Sequence, residues 1–198
     1  MYQYRLMTPQ QRAEVVAERK ANGYPWHAPP HFGGDEAKAY MLSAACFEHR
    51  ELLVTPNRLS EWTRALLDGV EHELGGRVHA WVVQPNHYHV LASVNLKDFR
   101  AWTARKHNGK STQWNREDRT PGRKVWHRFS DRRIRDERHF YASVNYIHAN
   151  PVKHGFVADS NDWPWCSLQE YLEAVGRDVL AAWWREYPLN NYGKGWDD

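Results

Sequence analysis

The sequence predicts an α+β fold: an antiparallel sheet with helices on one face, followed by a further helix near the C-terminal side. Three observations carry this. Residues 87–94 alternate so that Tyr88, Val90, Ala92 and Val94 share one face, the period-two signature of a half-buried strand. Leu59, Trp62, Leu66, Val70 and Leu74 fall at i, i+3, i+7, i+11 and i+15, one stripe of a helix. These two periods alternate along the chain as strand, helix, strand, strand, helix, strand, the order of a split β-α-β sheet.

Each element has its own local reason. Residues 8–21 read as a short helix: Thr8 caps it, Pro9 takes the first helical position, and Gly23 follows its end. Residues 23–31, Gly-Tyr-Pro-Trp-His-Ala-Pro-Pro-His, cannot be helical, because each proline drives its predecessor toward extended geometry; they read as a polyproline-like arm. Residues 39–47 (AYMLSAACF) form a buried-strand candidate. Asn57 is the expected cap of the helix bearing the Leu59 stripe, and Gly75-Gly76 its end. Strands follow over 77–83 and 87–94, separated by the turn Gln84-Pro85-Asn86. A basic helix is expected from Leu96 to about Trp114, and at least one short strand within 125–134. Asp136 caps a last core helix that Pro151 is expected to terminate. The boundaries this suggests are an arm over 1–36, a core domain over 37–172 and a tail over 173–198.

Composition narrows the class. A chain of 198 residues, 41% hydrophobic and 26% charged, is long enough for one domain with appendages. Its mean hydropathy is −0.84. The longest uncharged apolar-rich run, 39–47, falls far short of the roughly 20 residues that span a bilayer. No signal-peptide pattern opens the chain, and the two cysteines have no ligand-like spacing. A cytoplasmic protein without a membrane partner is expected. The net charge of +3 conceals a division: residues 100–138 hold 13 Lys/Arg and 5 Asp/Glu, a local net of +8. Such a segment fits either a polyanion-facing surface or a solvated helix and loop. Among the 11 tryptophans, Trp102, Trp114 and Trp126 lie in or beside this segment; stacking on bases is open to them, but core packing is the expected role of each.

Two clusters can carry chemistry. His87 and His89, spaced i and i+2 on a strand, project from the face opposite Tyr88 and Val90. Two neutral imidazoles there suit a divalent cation if a third group joins them; otherwise they are strand histidines without a ligand. On the last core helix, Phe140, Val144 and Ile147 mark a buried stripe, and His139, Ser143, Tyr146 and Asn150 run a quarter-turn away. A phenol and an amide one turn apart can act as nucleophile and metal ligand, or as a core-edge tyrosine and a helix-closing asparagine. Tyrosine, with a free pKa of about 10, needs an electrophile made more reactive, which a metal on a phosphate oxygen supplies.

The segments PNHYHVL, VWHRFSDRRIRDERHF, NYIHANPVKHGFV and DWPWCSLQEY, in that order, resemble the REP-associated tyrosine transposases, single-tyrosine members of the HUH superfamily akin to transposases of small insertion sequences. The resemblance covers roughly residues 38–172. It implies a ferredoxin-like fold whose extra C-terminal helix carries the tyrosine. It also implies metal-dependent nicking and rejoining of single-stranded DNA at hairpin or palindromic repeats through a 5′-phosphotyrosine. His87 and His89 match the metal pair, Tyr146 the catalytic tyrosine, and Asn150 the further metal ligand four residues on. By donor geometry Zn²⁺, Mn²⁺ and Mg²⁺ are all open; the resemblance favours Mg²⁺ or Mn²⁺. Arg105, Lys106, Arg132, Arg133 and Arg135 are then the expected DNA contacts, the partner a single-stranded or hairpin DNA, and the protein a monomer or homodimer. Cys166 stands where many relatives have serine, read as a tolerated packing change. The alternative is a protein that keeps the HUH fold and grips hairpin DNA without cutting; a third reading makes metal-bound water the nucleophile.

Overall fold

The computed structural model describes residues 37–193 together with Thr8, Gln10, Gln11, Glu14 and Ala17. Of the predicted 8–21 helix, residues 10, 11, 14 and 17 are helical. Thr8 caps them reciprocally: the Gln11 amide donates to Thr8 Oγ1 (3.2 Å) and the Thr8 amide to Gln11 Oε1 (2.8 Å). The rest of that helix and the proline-rich arm lie outside the described residues.

The sheet has four strands, β1 (Lys38–Ala45), β2 (Arg77–Val83), β3 (His87–Val94) and β4 (Ser130–Arg133). They lie in the order β2-β3-β1-β4, and every pairing is antiparallel. The long helices are α1 (Pro56–Asp68), α2 (Leu96–Glu117) and α3 (Glu137–Lys153). Two shorter ones follow, α4 (Leu168–Val175) and α5 (Arg177–Glu186). One compact unit takes in both short helices; the expected core boundary at 172 falls within α4, and α5 lies in the expected tail. No described helix is long and apolar enough to cross a membrane.

Two expectations about element ends are corrected, and one helix reaches its expected end at Gly75 (φ 60°) by an irregular path. Thr55, not Asn57, caps α1, its Oγ1 accepting the Arg58 amide at 3.2 Å. Pro56 explains the shift: lacking an N–H it belongs at the first helical position, so the cap must precede it. The same helix does not run evenly to Gly75. It passes at Gly69 into a single π-helical turn, closed by the Leu74 amide on the Gly69 carbonyl (3.0 Å). Gly69 is required there, because a Cβ at that position would overlap the Trp102 ring. Pro151 does not terminate α3, which continues to Lys153 with Pro151 inside its last turn. One missing N–H so near the end breaks little, and the His154 amide still closes the helix on the Asn150 carbonyl (3.1 Å). Asp136 caps α3 as expected, its Oδ1 accepting the His139 amide at 2.7 Å.

The two faces of the sheet are covered by different helices. On one, Tyr40, Leu42 and Ala44 of β1 and Tyr88, Val90, Ala92 and Val94 of β3 join Leu59, Trp62, Leu66, Phe99, Trp102 and Trp114 from α1 and α2. Trp62 stands at the centre, its ring about 5 Å from those of Tyr88 (5.4 Å), His107 (5.2 Å) and Trp126 (5.0 Å). Trp102, Trp114 and Trp126 are therefore core residues. Burying each large apolar side chain stabilises by about 1.5–3 kcal/mol. The opposite face, bearing Met41 and Ser43 of β1 and His87, His89 and Leu91 of β3, is covered by α3, which packs on β2 and β3.

Candidate active site

The turn ahead of β3 is held from outside by backbone bonds. The Leu52 and Leu53 amides both donate to the Pro85 carbonyl (2.9 Å each), and the Cys46 amide donates to Asn86 (2.7 Å). His87 and His89 leave this turn 3% and 1% exposed, their ring centroids 5.0 Å apart and edge-on. Strand pairing sets Ser43 opposite His89, with Ser43 Oγ 2.5 Å from His89 Nδ1. His87 Nδ1 lies 2.6 Å from Asn86 Oδ1, and His87 Nε2 lies 2.8 Å from Asn150 Oδ1 on α3. The His154 ring stands edge-on to His87 at 4.7 Å.

Tyr146, on α3, is 1% exposed; its ring meets His89 at 5.3 Å and Tyr192 at 5.8 Å, both edge-on. Its hydroxyl accepts a hydrogen bond from Lys153 Nζ at 3.1 Å. Tyr146, Asn150 and Lys153 fall at i, i+4 and i+7, so phenol, amide and ammonium line one stripe of the helix. Ser143, one turn earlier, donates to the His139 carbonyl (2.7 Å), and its oxygen accepts from the Tyr192 hydroxyl (2.5 Å). His148 points elsewhere. Its Nε2 lies 3.1 Å from Ser167 Oγ, and burial pushes its imidazole down to about 3.

The predicted DNA contacts separate. Arg132 pairs with Met41 across the β4–β1 ladder and so shares the face of Ser43 and His89. Burial lowers its pKa, while Tyr192 and Tyr146 pull the other way, so its guanidinium lies in the electrostatic neighbourhood of the tyrosine. Arg135 sits at the head of α3, its amide donating to His139 Nδ1 (3.3 Å). Arg133 pairs with Tyr40 and faces the other side of the sheet. Arg105 and Lys106 are on α2, which packs on that other side, and both bind Glu73, at 3.3 and 2.7 Å. Their hydrogen bonds and charge hold the Glu73 carboxyl below its usual range, the Lys106 bond leading. Position within a basic stretch does not tell which face a charge takes. Lys153, Asn86 and Ser43 are site residues that the sequence reading missed. Lys153 was findable from its i+7 spacing, whereas Ser43 needed the strand register.

Among the described residues no group of three or more His, Cys, Asp or Glu side chains is arranged to hold a metal ion. The candidate set here is two imidazoles and an amide. One observation fits it to a cation. Asn150 is fully buried, and its Oδ1, the only atom of the amide able to ligate a metal, is turned to His87 Nε2. The 2.8 Å between those donors is close to the separation of adjacent ligands around a six-coordinate ion, about 3.0 Å for bonds near 2.1 Å.

Fold and site define an α+β protein in which a His-x-His strand of an antiparallel sheet faces a tyrosine-bearing helix. In sequence the chain is similar to REP-associated tyrosine transposases. It is 32% identical over 98 residues to the one from Escherichia coli K12, covering 46% of this chain and 53% of that one. It is 39% identical over 51 residues to a putative one from Haemophilus influenzae Rd, covering 25% and 29%. The chain thus spans about half the length of the first relative and under a third of the second. No family model matches it. In fold it is similar to a REP-associated tyrosine transposase solved bound to a REP hairpin, with a TM-score of 0.53 and 22% identity over 70% of this chain and 81% of that one. The resemblance read from the motifs is borne out in both sequence and fold.

Proposed function

We propose that this protein is a transposase-type enzyme that binds hairpin DNA and nicks and rejoins a single strand through Tyr146. The observation that carries this reading is the convergence of Tyr146, Asn150 and Lys153 from one helix stripe on the His87–His89 strand. The strand order β4-β1-β3-β2, with α1 and α2 on one face, supports the ferredoxin-like arrangement typical of HUH proteins. The similarity to transposases, one of them solved on a REP hairpin, supports the substrate class.

In this reading the Tyr146 oxygen attacks the scissile phosphorus. The Tyr–O–P bond forms, the bond from phosphorus to the 3′-oxygen breaks, the phenolic proton is lost to solvent, and the 3′-oxygen takes up a proton. The reverse attack by a 3′-hydroxyl reseals a strand without a nucleotide cofactor, because the phosphotyrosine keeps the diester energy. His87, His89 and Asn150 would hold Mg²⁺ or Mn²⁺, which supplies charge neutralisation and orientation at the phosphate. Lys153 donates to the phenol oxygen and places a positive charge beside the oxygen that becomes bonded to phosphorus. Arg132, on the same sheet face, is the strongest candidate for the neighbouring phosphate.

The test uses single-stranded hairpin oligonucleotides from palindromes flanking the coding region. A label 3′ of the cut should stay with the protein through denaturing electrophoresis, and one 5′ of the cut should leave. EDTA should abolish the adduct and Mn²⁺ restore it. Cutting by Tyr146→Phe would make water the nucleophile; tight binding without any cutting would favour the non-cleaving alternative.

A further inference from the structure

The ladder between β2 and β3 continues one residue past the end of β2. Val82 pairs with His89 and Val83 with Tyr88, and the Gln84 amide then donates to the His87 carbonyl at 2.8 Å. Residues directly opposite one another in an antiparallel pair point to the same face, their Cβ atoms about 4.5–5.5 Å apart. Gln84 therefore stands beside His87 on the face that α3 covers, while Val83 and Tyr88 take the tryptophan side. Its backbone is pinned on both flanks. The Val83 amide donates to the Trp165 carbonyl and the Trp163 indole to the Val83 carbonyl, both at 2.9 Å. The Pro85 carbonyl takes the Leu52 and Leu53 amides.

The Gln84 side chain is wholly buried, and neither Oε1 nor Nε2 has a hydrogen-bond partner among the described residues. Burying a carboxamide in this way costs free energy that packing does not return, and an aliphatic side chain of equal length would avoid the cost. The preceding residues of β2 on that face, Ala80 and Val82, are apolar. Where a native protein keeps such a group, an ion, a water or a ligand commonly meets it. Position favours the ion. Gln84 lies across the strand pair from His87, whose Nε2 is already 2.8 Å from the oxygen of a second buried amide, Asn150 Oδ1. Amide oxygens are also the hard donors that suit Mg²⁺ and Mn²⁺, which two imidazoles alone do not supply.

We propose that Gln84 is a further ligand of the divalent cation, its Oε1 joining His87, His89 and Asn150 so that two imidazoles and two amide oxygens hold the ion. This rests on the metal-site reading given above and extends it to a residue that neither the His-x-His pattern nor the helix spacing points to. The stability lost by burying the amide in the metal-free protein is then recovered when the ion binds.

The experiment uses the intact protein and needs neither DNA nor activity. Mn²⁺ binding followed by electron paramagnetic resonance should weaken about 10-fold or more in Gln84→Met, since even groups that only support a ligand are worth that much. Gln84→Glu, which keeps an oxygen and adds a negative charge, should bind Mn²⁺ at least as tightly as the parent. Without metal, the urea midpoint of Gln84→Met should equal or exceed the parent's, because the substitution removes a buried amide and keeps the length of the side chain. Equal Mn²⁺ affinity in the parent and a folded Gln84→Met overturns the proposal, and a lowered midpoint beside it would give the amide a structural part, such as holding a buried water. In crystals soaked with Mn²⁺, the anomalous peak should lie within ligand distance of Gln84 Oε1. A peak bound by His87 and His89 with Gln84 turned away also overturns the proposal. A parent that binds no Mn²⁺ overturns the metal reading and this role together, a result distinct from failure of Gln84 alone.

Discussion

The two faces of the sheet are built from alternate residues of the same strands, yet they solve opposite problems. On the α1/α2 face, Trp62, Trp102, Trp114 and Phe99 close over Tyr88 and Val90, and His107 among them meets a single polar side-chain partner, the Tyr88 hydroxyl at 3.2 Å. His107 stacks on Trp126 at 4.2 Å, and burial drives its pKa down to about 3. On the α3 face, His87, His89, Asn150 and Tyr146 are just as deeply buried, but each is engaged by a neighbouring polar side chain. The first arrangement maximises apolar burial; the second gives up some of it to hold polar groups at fixed separations, the pattern expected where chemistry rather than stability sets the residue choice. The charges divide in the same way. Arg105, Lys106, Lys110 and Arg123 of the basic segment are paired with Glu73, Glu61 and Asp118 on the apolar side, whereas Arg132 lies on the site face.

The comparison can be broken most sharply at Tyr146. Tyr146→Phe deletes one oxygen and leaves the ring against His89, so covalent adduct should vanish while the urea midpoint moves little. A cutting Phe variant would remove the site face from catalysis. The converse experiment is Trp62→Ala, which should cost about 3–5 kcal/mol in denaturant unfolding through the cavity it leaves. A loss below about 1 kcal/mol would show that the apolar face is not the main source of stability.

Both faces share one pH signature. His107 under α1 and His148 on α3 are held neutral by burial, each near 3 in the folded protein. Their ordinary value is 6.5, so below that the unfolded chain binds protons the folded one refuses. Stability should therefore be full above pH 6.5 and fall continuously toward pH 3, by at most about 1.4 kcal/mol per pH unit for each group. Urea midpoints measured across that range should decline, and less steeply in His107→Gln. A flat profile would contradict the burial argument.

Gly69→Ala tests the π-helical turn. The added methyl must displace the Trp102 ring, at about 1–3 kcal/mol, with no effect on adduct formation beyond stability. The smallest expected effect concerns DNA. Arg132→Ala should lower the log–log salt slope of hairpin binding by about 1, the mark of one lost phosphate contact, while Arg105→Ala with Lys106→Ala should change it less. The reverse ranking would move the DNA to the α2 side.

Much of the fold was legible in the sequence because its signals are local. The alternation in β3, the Leu59–Trp62–Leu66–Val70 stripe and the Asp136 cap each depend on residues a turn or a pleat apart. The ends were less so: Thr55 displaced Asn57 as the cap, and α3 ran through Pro151, where neighbouring backbone geometry outweighed single-residue preferences. For the site, spacing alone placed His87 with His89 and Tyr146 with Asn150, and would have placed Lys153. Which face each cation takes, and what stands behind His87, were decided by the tertiary structure. Strand register brings Ser43 opposite His89 and Arg132 beside it, and the β1 turn lends its carbonyl to Asn86. Those contacts join residues about 40 or more positions apart, so no local period encodes them. They exist only once the sheet has paired.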